Sequence, residues 1–136
     1  MGKNKLIIEQ PSPHDFDRTI ELLSEKAVKK EWNIPAIHDL QQSLAKSGKI
    51  VKPVKVIEMC KPEYSGRMLE KNHERIVSVM MPCRISVYMK DDGKTYVSLI
   101  NISALASGLP ENVDKLMTEA SNDVFKVVES VTGSFS

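Results

Sequence analysis

The apolar residues of this chain repeat with a helical period in two long segments. The first segment extends from about Pro13 to Lys30, with Ser12 as its predicted N-cap. The second begins at Pro110 and carries a long apolar stripe: Val113, Leu116, Met117, Ala120, Val124, Val127, Val128 and Val131. This spacing predicts two amphipathic helices that each bury one face.

Branched apolar residues in short runs predict strands at Lys5–Glu9 and Lys52–Met59. The prolines of the segment QPSPHD are expected to end the first strand. In the second strand, Ile57 and Met59 share one side. The other side carries Val54, Val56, Glu58 and Cys60. A strand with apolar residues on both faces is usually central or covered on both sides.

Two alternating runs flank the turn sequence DDG and predict a β-hairpin. One face of its first strand carries Cys83, Ile85, Val87 and Met89. The opposite face carries Arg84, Ser86, Tyr88 and Lys90. The returning strand is expected at Thr95–Asn101, so one face of the hairpin is expected to be buried.

Shorter elements are predicted between these segments. The run Trp32–Asp39 is either a strand or an extended crossing segment. Asp39 can cap a short helix that Gly48 ends in a left-handed conformation. Pro62 suits the first position of another helix, which is expected to end in the segment NHER.

The element order predicts an α+β fold: a mostly antiparallel sheet with helices packed on one face. The 136 residues suit a single domain, residues 1–136, with an ordered core at about 5–131. The tail TGSFS is expected to fray.

Charge and composition narrow the function classes. Nineteen Lys and Arg residues face eighteen Asp and Glu residues, and this balance argues against a nucleic-acid partner. The local basic run is interpreted as a solvated surface: Lys46, Lys49, Lys52 and Lys55. No secretory signal and no apolar run of about 18 residues is visible, so we expect a cytoplasmic protein with no membrane partner.

The two cysteines carry the most specific candidate chemistry. In the cytoplasm they are expected to be free thiols or a reactive or metal-binding pair. Cys60 ends a strand at a helix entrance and Cys83 begins another strand. If these strands are neighbours, both thiols lie at the same end of the sheet. With His38 as a third ligand, they would suit zinc or copper. The alternative is that both cysteines are buried as small hydrophobic residues.

Other candidate features point to a pocket or to ordinary structure. The methionines are numerous for a small domain and suit an adaptable cavity between the sheet and the last helix, or a core with gaps to fill. Glu58 must be paired or exposed, with Lys55 or Arg84 as its partner. The candidate binding residues are therefore Cys60, Cys83, His38, Glu58 and Tyr88. No hydrolase, metalloprotease or nucleotide-binding motif is visible.

The segments VKPVKVIEMCKP and MMPCRISVYMKDDGKTYVS together resemble the Domain of Unknown Function 302 family. The matching features are a Cys-x-Pro at Cys60, a Pro-Cys at Cys83 and a Val-Tyr before an Asp-Gly turn. The resemblance implies a β-α-β(4)-α arrangement similar to the TATA-binding-protein-like fold, and a homodimer. The family has no established activity, so the resemblance adds no catalytic residues.

These observations lead to one functional hypothesis and two alternatives. The hypothesis is a small-ligand or metal-binding module centred on Cys60 and Cys83, with the ligand or cofactor unknown. The first alternative is a thiol-dependent enzyme with Cys60 as its nucleophile. The second is a structural or partner-binding dimeric domain without a site.

Overall fold

Five strands form one antiparallel sheet in the computed structural model, which describes residues 6–105 and 108–133. Their bounds are β1 Ile7–Ser12, β2 Asn33–Asp39, β3 Val54–Cys60, β4 Cys83–Met89 and β5 Thr95–Ile100. The strand order across the sheet is β1-β5-β4-β3-β2. The strands β3, β4 and β5 are therefore interior, as predicted for β3, whereas β1 and β2 are edges.

The helices complete an α+β architecture. They are α1 Phe16–Lys29, α2 Leu40–Ala45, α3 Pro62–Leu69 and α4 Glu111–Thr132, with 3₁₀ turns at Glu74–Met80 and Ile102–Ala104. The predicted fold class is confirmed: the sheet is antiparallel, with helices on one side. The β-α-β(4)-α succession is present, with the short helices α2 and α3 inserted between strands. Similarity to the TATA-binding-protein fold stays a prediction. No described helix has the length and apolar character needed to cross a membrane.

The main core lies between the sheet and the long helices α1 and α4. Ile57, Ile85 and Leu99 are neighbours across β3, β4 and β5. Leu23 of α1 and Val127 of α4 belong to the same buried cluster. The strand faces are as predicted, since Ile57 and Ile85 are buried while the intervening residues are half-buried or exposed.

The start of the chain differs from the prediction. Strand β1 continues through Pro11 to Ser12, because it is an edge strand that tolerates the missing proline N–H. Helix α1 begins at Phe16, and Asp15, not Ser12, accepts the capping hydrogen bond from the backbone N–H of Arg18. The Ser12 hydroxyl instead hydrogen-bonds the Thr19 hydroxyl at 2.7 Å.

Strand β2 and helix α2 agree with the prediction. The segment Asn33–Asp39 is a strand with an irregular register between Asn33 and Ala36. Asp39 caps α2 by accepting from the Gln42 N–H at 2.9 Å. Gly48 follows the helix with a φ of 79°, the left-handed conformation that glycine adopts most easily.

The segment after α3 was not predicted. Helix α3 ends at Leu69, and Glu74–Met80 forms a 3₁₀ helix. With three residues per turn, Glu74, Val77 and Met80 share one side. Glu74 and Val77 are buried, whereas Ile76 and Val79 on other sides are exposed. The α-helical period does not reveal this element because its buried side repeats every third residue.

The hairpin between β4 and β5 is confirmed, with Gly93 in the left-handed conformation at its turn. Two predictions fall partly outside the described residues: the beginning of the first strand at Lys5, and the frayed tail at positions 134–136.

Candidate functional site

Cys60 and Cys83 lie at the same end of the sheet. Cys60 is the last residue of β3 and Cys83 is the first residue of β4, where it pairs with Met59. Both side chains line one narrow cleft with a volume of about 20 Å³. Their predicted proximity is therefore present, and the antiparallel pairing of β3 with β4 is its cause.

Aromatic rings and methionines line much of this cysteine cleft. The rings of Trp32 and Tyr64 lie 5.9 Å apart. The Lys61 ammonium lies 5.8 Å from the first ring centre and 5.5 Å from the second. The methionines of the cleft are Met59, Met68, Met80, Met81 and Met117. The cleft thus presents sulfur and aromatic surface together.

A larger cavity of about 150 Å³ adjoins the cysteine cleft. It lies between the 3₁₀ helix, the ends of β4 and β5 and helix α4, close to the position that the methionines predicted. Residues common to the cleft and the cavity are Met80, Met81, Pro82, Cys83 and Met117. The two spaces are therefore neighbouring lobes separated by a shared wall.

Asp123 of α4 holds the aromatic side of the cleft in place. Its carboxylate accepts from Trp32 Nε1 at 2.8 Å and from Lys61 Nζ at 3.1 Å, and it pairs with Lys30 Nζ at 3.0 Å. Burial raises the pKa of Asp123, but these hydrogen bonds outweigh it and hold the pKa below its ordinary value. Burial lowers the pKa of Lys61, yet its bond to Asp123 raises that pKa overall.

The Asp123 network was not predicted, although the sequence carries a signal for it. Asp123 follows Ala120 by three residues and precedes Val127 by four, so helical spacing places it beside the apolar stripe of α4. A carboxylate next to a buried stripe needs a partner. Helical spacing does not identify that partner, because Trp32 is 91 residues away along the chain.

The Cys83 thiol is neutral at physiological pH. Burial raises its pKa to about 11, and the nearby Cys60 contributes in the same direction. Since the thiolate is the nucleophilic form, this raised pKa disfavours Cys83 as a nucleophile. The Cys60 sulfur lies 3.5 Å from the Ser65 hydroxyl oxygen.

Alkylation of a Cys60→Ser variant, which retains only Cys83, is expected to be slow at pH 8. With a pKa of about 11, roughly one Cys83 thiol in a thousand is ionised at that pH. The alkylation rate, followed by mass spectrometry, should keep rising to about pH 11. The Cys83→Ser variant, which retains only Cys60, gives the alkylation rate of Cys60 for comparison. A Cys83 rate that levels off near the ordinary thiol pKa of about 8.5 would contradict the assignment.

His38 and Glu58 do not join the cysteines. His38 Nε2 lies 3.1 Å from one Glu58 carboxylate oxygen, and Arg84 Nη2 donates to the other at 3.5 Å. Arg84 is therefore the partner predicted for Glu58, and Lys55 is not. The structure does not bring His38 to the cysteines, because His38 pairs with Val56 in the ladder while Cys60 pairs with Asn33. Across the described ranges, no three His, Cys, Asp or Glu side chains form a metal-binding group.

Tyr88 also lies away from the cleft, on the face of the sheet opposite the helices. Its hydroxyl donates to the Glu9 carboxylate, and its ring stacks on Tyr96 with centres 6.2 Å apart. Burial and the bond to Glu9 raise the Tyr88 pKa to about 12. We call this side, with Glu58, Arg84, Tyr88 and Tyr96, the open face of the sheet.

Comparisons with known proteins agree with the fold. The chain is 28% identical over 111 residues to an uncharacterised protein of Aquifex aeolicus (strain VF5), covering 78% of this chain and 69% of that protein. It superposes with a TM-score of 0.83 on the crystal structure of an uncharacterised conserved DUF302 protein from Bacillus stearothermophilus. That match has 17% identity and covers 93% of this chain and 98% of the other, so it supports the fold alone. The family model described as "Domain of unknown function DUF302" matches residues 8–131, and the chain belongs to this family.

Proposed function

We propose that this protein is a small-ligand-binding module. The site is the cysteine cleft together with the adjoining cavity. The supporting observation is that both cysteines line one cleft, and that Cys83 continues into a cavity of about 150 Å³ with largely apolar walls. Ligand sites are typically concave, mostly apolar and provided with few polar groups.

The size of the cavity suits a very small organic molecule. An engineered protein cavity of about 150 Å³ with apolar walls stays dry and binds benzene. The walls here include Met80, Met81 and Met117, and methionine side chains adapt to ligand shape and contact aromatic rings favourably. An apolar ligand of about one ring is therefore the expected occupant.

A soft metal ion is the second candidate, and it is favoured by the sulfur donors of the narrow lobe. Two thiols and several thioethers face a space of about 20 Å³, which is of the order of one water-sized sphere. Thiolate and thioether ligands select soft ions such as Cu(I). Binding of a soft metal ion by both thiols would require Cys83 to lose its proton. Because the Cys83 thiol is neutral, a thiol-dependent enzyme would have to use Cys60 as its nucleophile.

Methionine methyl groups provide the test of the ligand proposal. Toluene added to protein with ¹³C-methyl-labelled methionine should shift the NMR signals of Met80, Met81 and Met117, which line the cavity. Met89 at the far end of β4 is the internal control and should not move. Cys83→Leu fills the wall common to both lobes and should weaken toluene binding several-fold.

Two outcomes decide between the candidates. If saturating toluene moves no methionine signal, or moves Met89 as much as Met117, the ligand proposal fails. If silver(I), a stable substitute for Cu(I), shifts Met59 and Met68 in wild type but not in Cys60→Ser, the metal candidate gains.

We also propose that the chain forms a homodimer in the cytoplasm. Ile7 and Ile100 are neighbours in register on the open face and are 60% and 50% exposed, which supports a covered surface there. A symmetric partner would cover the same patch on both copies. The two free cysteines support a reducing compartment. The translational diffusion coefficient of the labelled protein, measured by NMR, gives the number of subunits. A coefficient that matches one chain would exclude the dimer.

A further inference from the structure

A second cleft, between α3, the first 3₁₀ helix and α4, contains a buried carboxylate. Glu74 is 8% exposed, and no other charged residue of the described chain is as deeply buried. Within residues 6–105 and 108–133, its carboxylate forms no ion pair and no hydrogen bond. Burying a carboxylate without a partner is costly, so buried charges are normally paired. Glu74 is therefore available to a partner from outside the chain.

The Glu74 carboxylate is accessible from this α3–α4 cleft. In the described chain, the only unpaired side-chain polar atoms that lie out of reach of water are two serine hydroxyl oxygens. The unpaired oxygens of Glu74 are not among them, so water reaches them, and Glu74 lines the cleft. One 3₁₀ turn further on, Val77 belongs to a buried cluster with Met68 of α3 and Leu116 of α4. The buried side of the 3₁₀ helix, which carries Glu74, therefore faces these two helices.

The other charges of the α3–α4 cleft balance each other. Three positive and three negative side chains line it besides Glu74: Arg67, Lys71, Lys115, Glu70, Asp114 and Glu119. All of them except Asp114 are exposed, and Asp114 accepts a hydrogen bond from the Thr118 hydroxyl at 3.4 Å. Since three positive and three negative charges sum to zero, the Glu74 carboxylate is the unbalanced charge of the cleft. It favours a positively charged occupant.

The size of the cleft and its ligand groups favour an organic cation. Its volume of about 1090 Å³ is far more than a single ion fills. Hard metal ions normally collect several oxygen ligands, and no three His, Cys, Asp or Glu side chains come together for a metal anywhere in the described ranges. A primary ammonium group has three hydrogen-bond donors, and one of them is enough for a strong charge-assisted bond to a single carboxylate.

We propose that the α3–α4 cleft binds a molecule with a primary ammonium group, and that Glu74 is the carboxylate that holds it. The ammonium group ends the unpaired state of Glu74 and neutralises the cleft. The rest of the molecule occupies the outer volume. This cleft shares no lining residue with the cysteine cleft or the larger cavity, so the inference is independent of the proposed function. The ammonium group belongs either to a free amine or to a lysine side chain of a partner protein.

The test compares propylamine, which like lysine is protonated at pH 7, with 1-propanol, a neutral molecule of similar size. Dissociation constants are measured from backbone amide NMR shifts of the cleft in ¹⁵N-labelled protein. Propylamine should bind and 1-propanol should not. Glu74→Gln removes the charge but keeps the side-chain shape, and it should weaken propylamine binding at least about tenfold, the effect of one hydrogen bond to a charged group. Glu119→Gln removes an exposed carboxylate of the same cleft and should weaken binding less than about threefold.

Two results would overturn the inference. One is an equal loss of binding in Glu74→Gln and Glu119→Gln, and the other is propylamine binding no tighter than that of 1-propanol. The second comparison uses the wild-type protein, so it decides even if Glu74→Gln does not fold. Nα-acetyl-lysine methylamide distinguishes the two sources of the ammonium group. It should bind more tightly than propylamine if the source is a partner protein, and more weakly if the source is a free amine.

Discussion

Replacing Asp123 with alanine is expected to lower the free energy of unfolding by about 1.5–3 kcal/mol. The Asp123 carboxylate accepts from Trp32 Nε1 and binds two ammonium groups, those of Lys30 and Lys61. The side chains of Asp123 and Lys61 are each 13% exposed. Removing the carboxylate leaves a largely buried ammonium and an indole N–H without their partner, and such unpaired groups cost more than the pair itself contributes.

Urea unfolding followed by Trp32 fluorescence measures this loss. The chain has one tryptophan, and it is 3% exposed in the fold, so its emission reports the exposure of this region. Glu119→Ala, at an exposed carboxylate on the same helix, is the control and should change stability by less than about 0.5 kcal/mol. All variants are compared at one protein concentration. A loss below about 1 kcal/mol for Asp123→Ala would show that the network is solvated and weak.

The Asp123 network also has a defined pH dependence. The folded state lowers the Asp123 pKa from its ordinary value of 3.8, so its contribution is complete above that value. The contribution is lost as the pH falls through the lower pKa of the folded state. The stability difference between wild type and Asp123→Asn should be constant at neutral pH and shrink below pH 3.8. A difference that first shrinks near pH 6 would point to another group.

Replacing Ile85 with alanine is expected to cost about 3–4 kcal/mol, within the range for large-to-small changes in a core. Ile85 is 0% exposed and lies at the centre of the sheet. Its neighbours in register are Ile57 on β3 and Leu99 on β5, both buried. Three interior strands meet at this position, so the backbone has little freedom to close the space that the deletion leaves.

Ile50→Ala is the matched control, because Ile50 is 96% exposed. The same atoms are removed there without creating a cavity, so the stability should change by less than about 0.5 kcal/mol. Both variants are measured by the urea unfolding described above. Equal losses at the two positions would mean that Ile85 is not the centre of the core.

The local pattern predicted most elements because it reflects which side of each element is buried. The alternation around Ile85 and the stripe around Val127 follow directly from period-two and period-3.6 geometry, and Asp39 caps α2 through a hydrogen bond three residues away. Predictions failed where the position of a strand in the sheet outweighed its residue preferences, or where the period was not that of an α-helix or a strand. Pro11 continues a strand because β1 is an edge, and the 3₁₀ helix repeats every third residue instead of following the α-helical period.

The α+β class, the face of each strand and the two cysteines as a candidate site follow from the linear pattern of residues. Which side chains join the cysteines depends on how the elements pack. The pairing of β3 with β4 brings the ends of these strands together, so that Cys60 and Cys83 line one cleft. Glu58 and Tyr88 lie on the open face, where Arg84 and Glu9 are their partners. Helix α4 brings Asp123 to Trp32 and Met117 to the cavity wall. These contacts join residues that are far apart in the chain. A local hydrophobic period cannot predict them, because they depend on how the packed helices and strands fill the space between them.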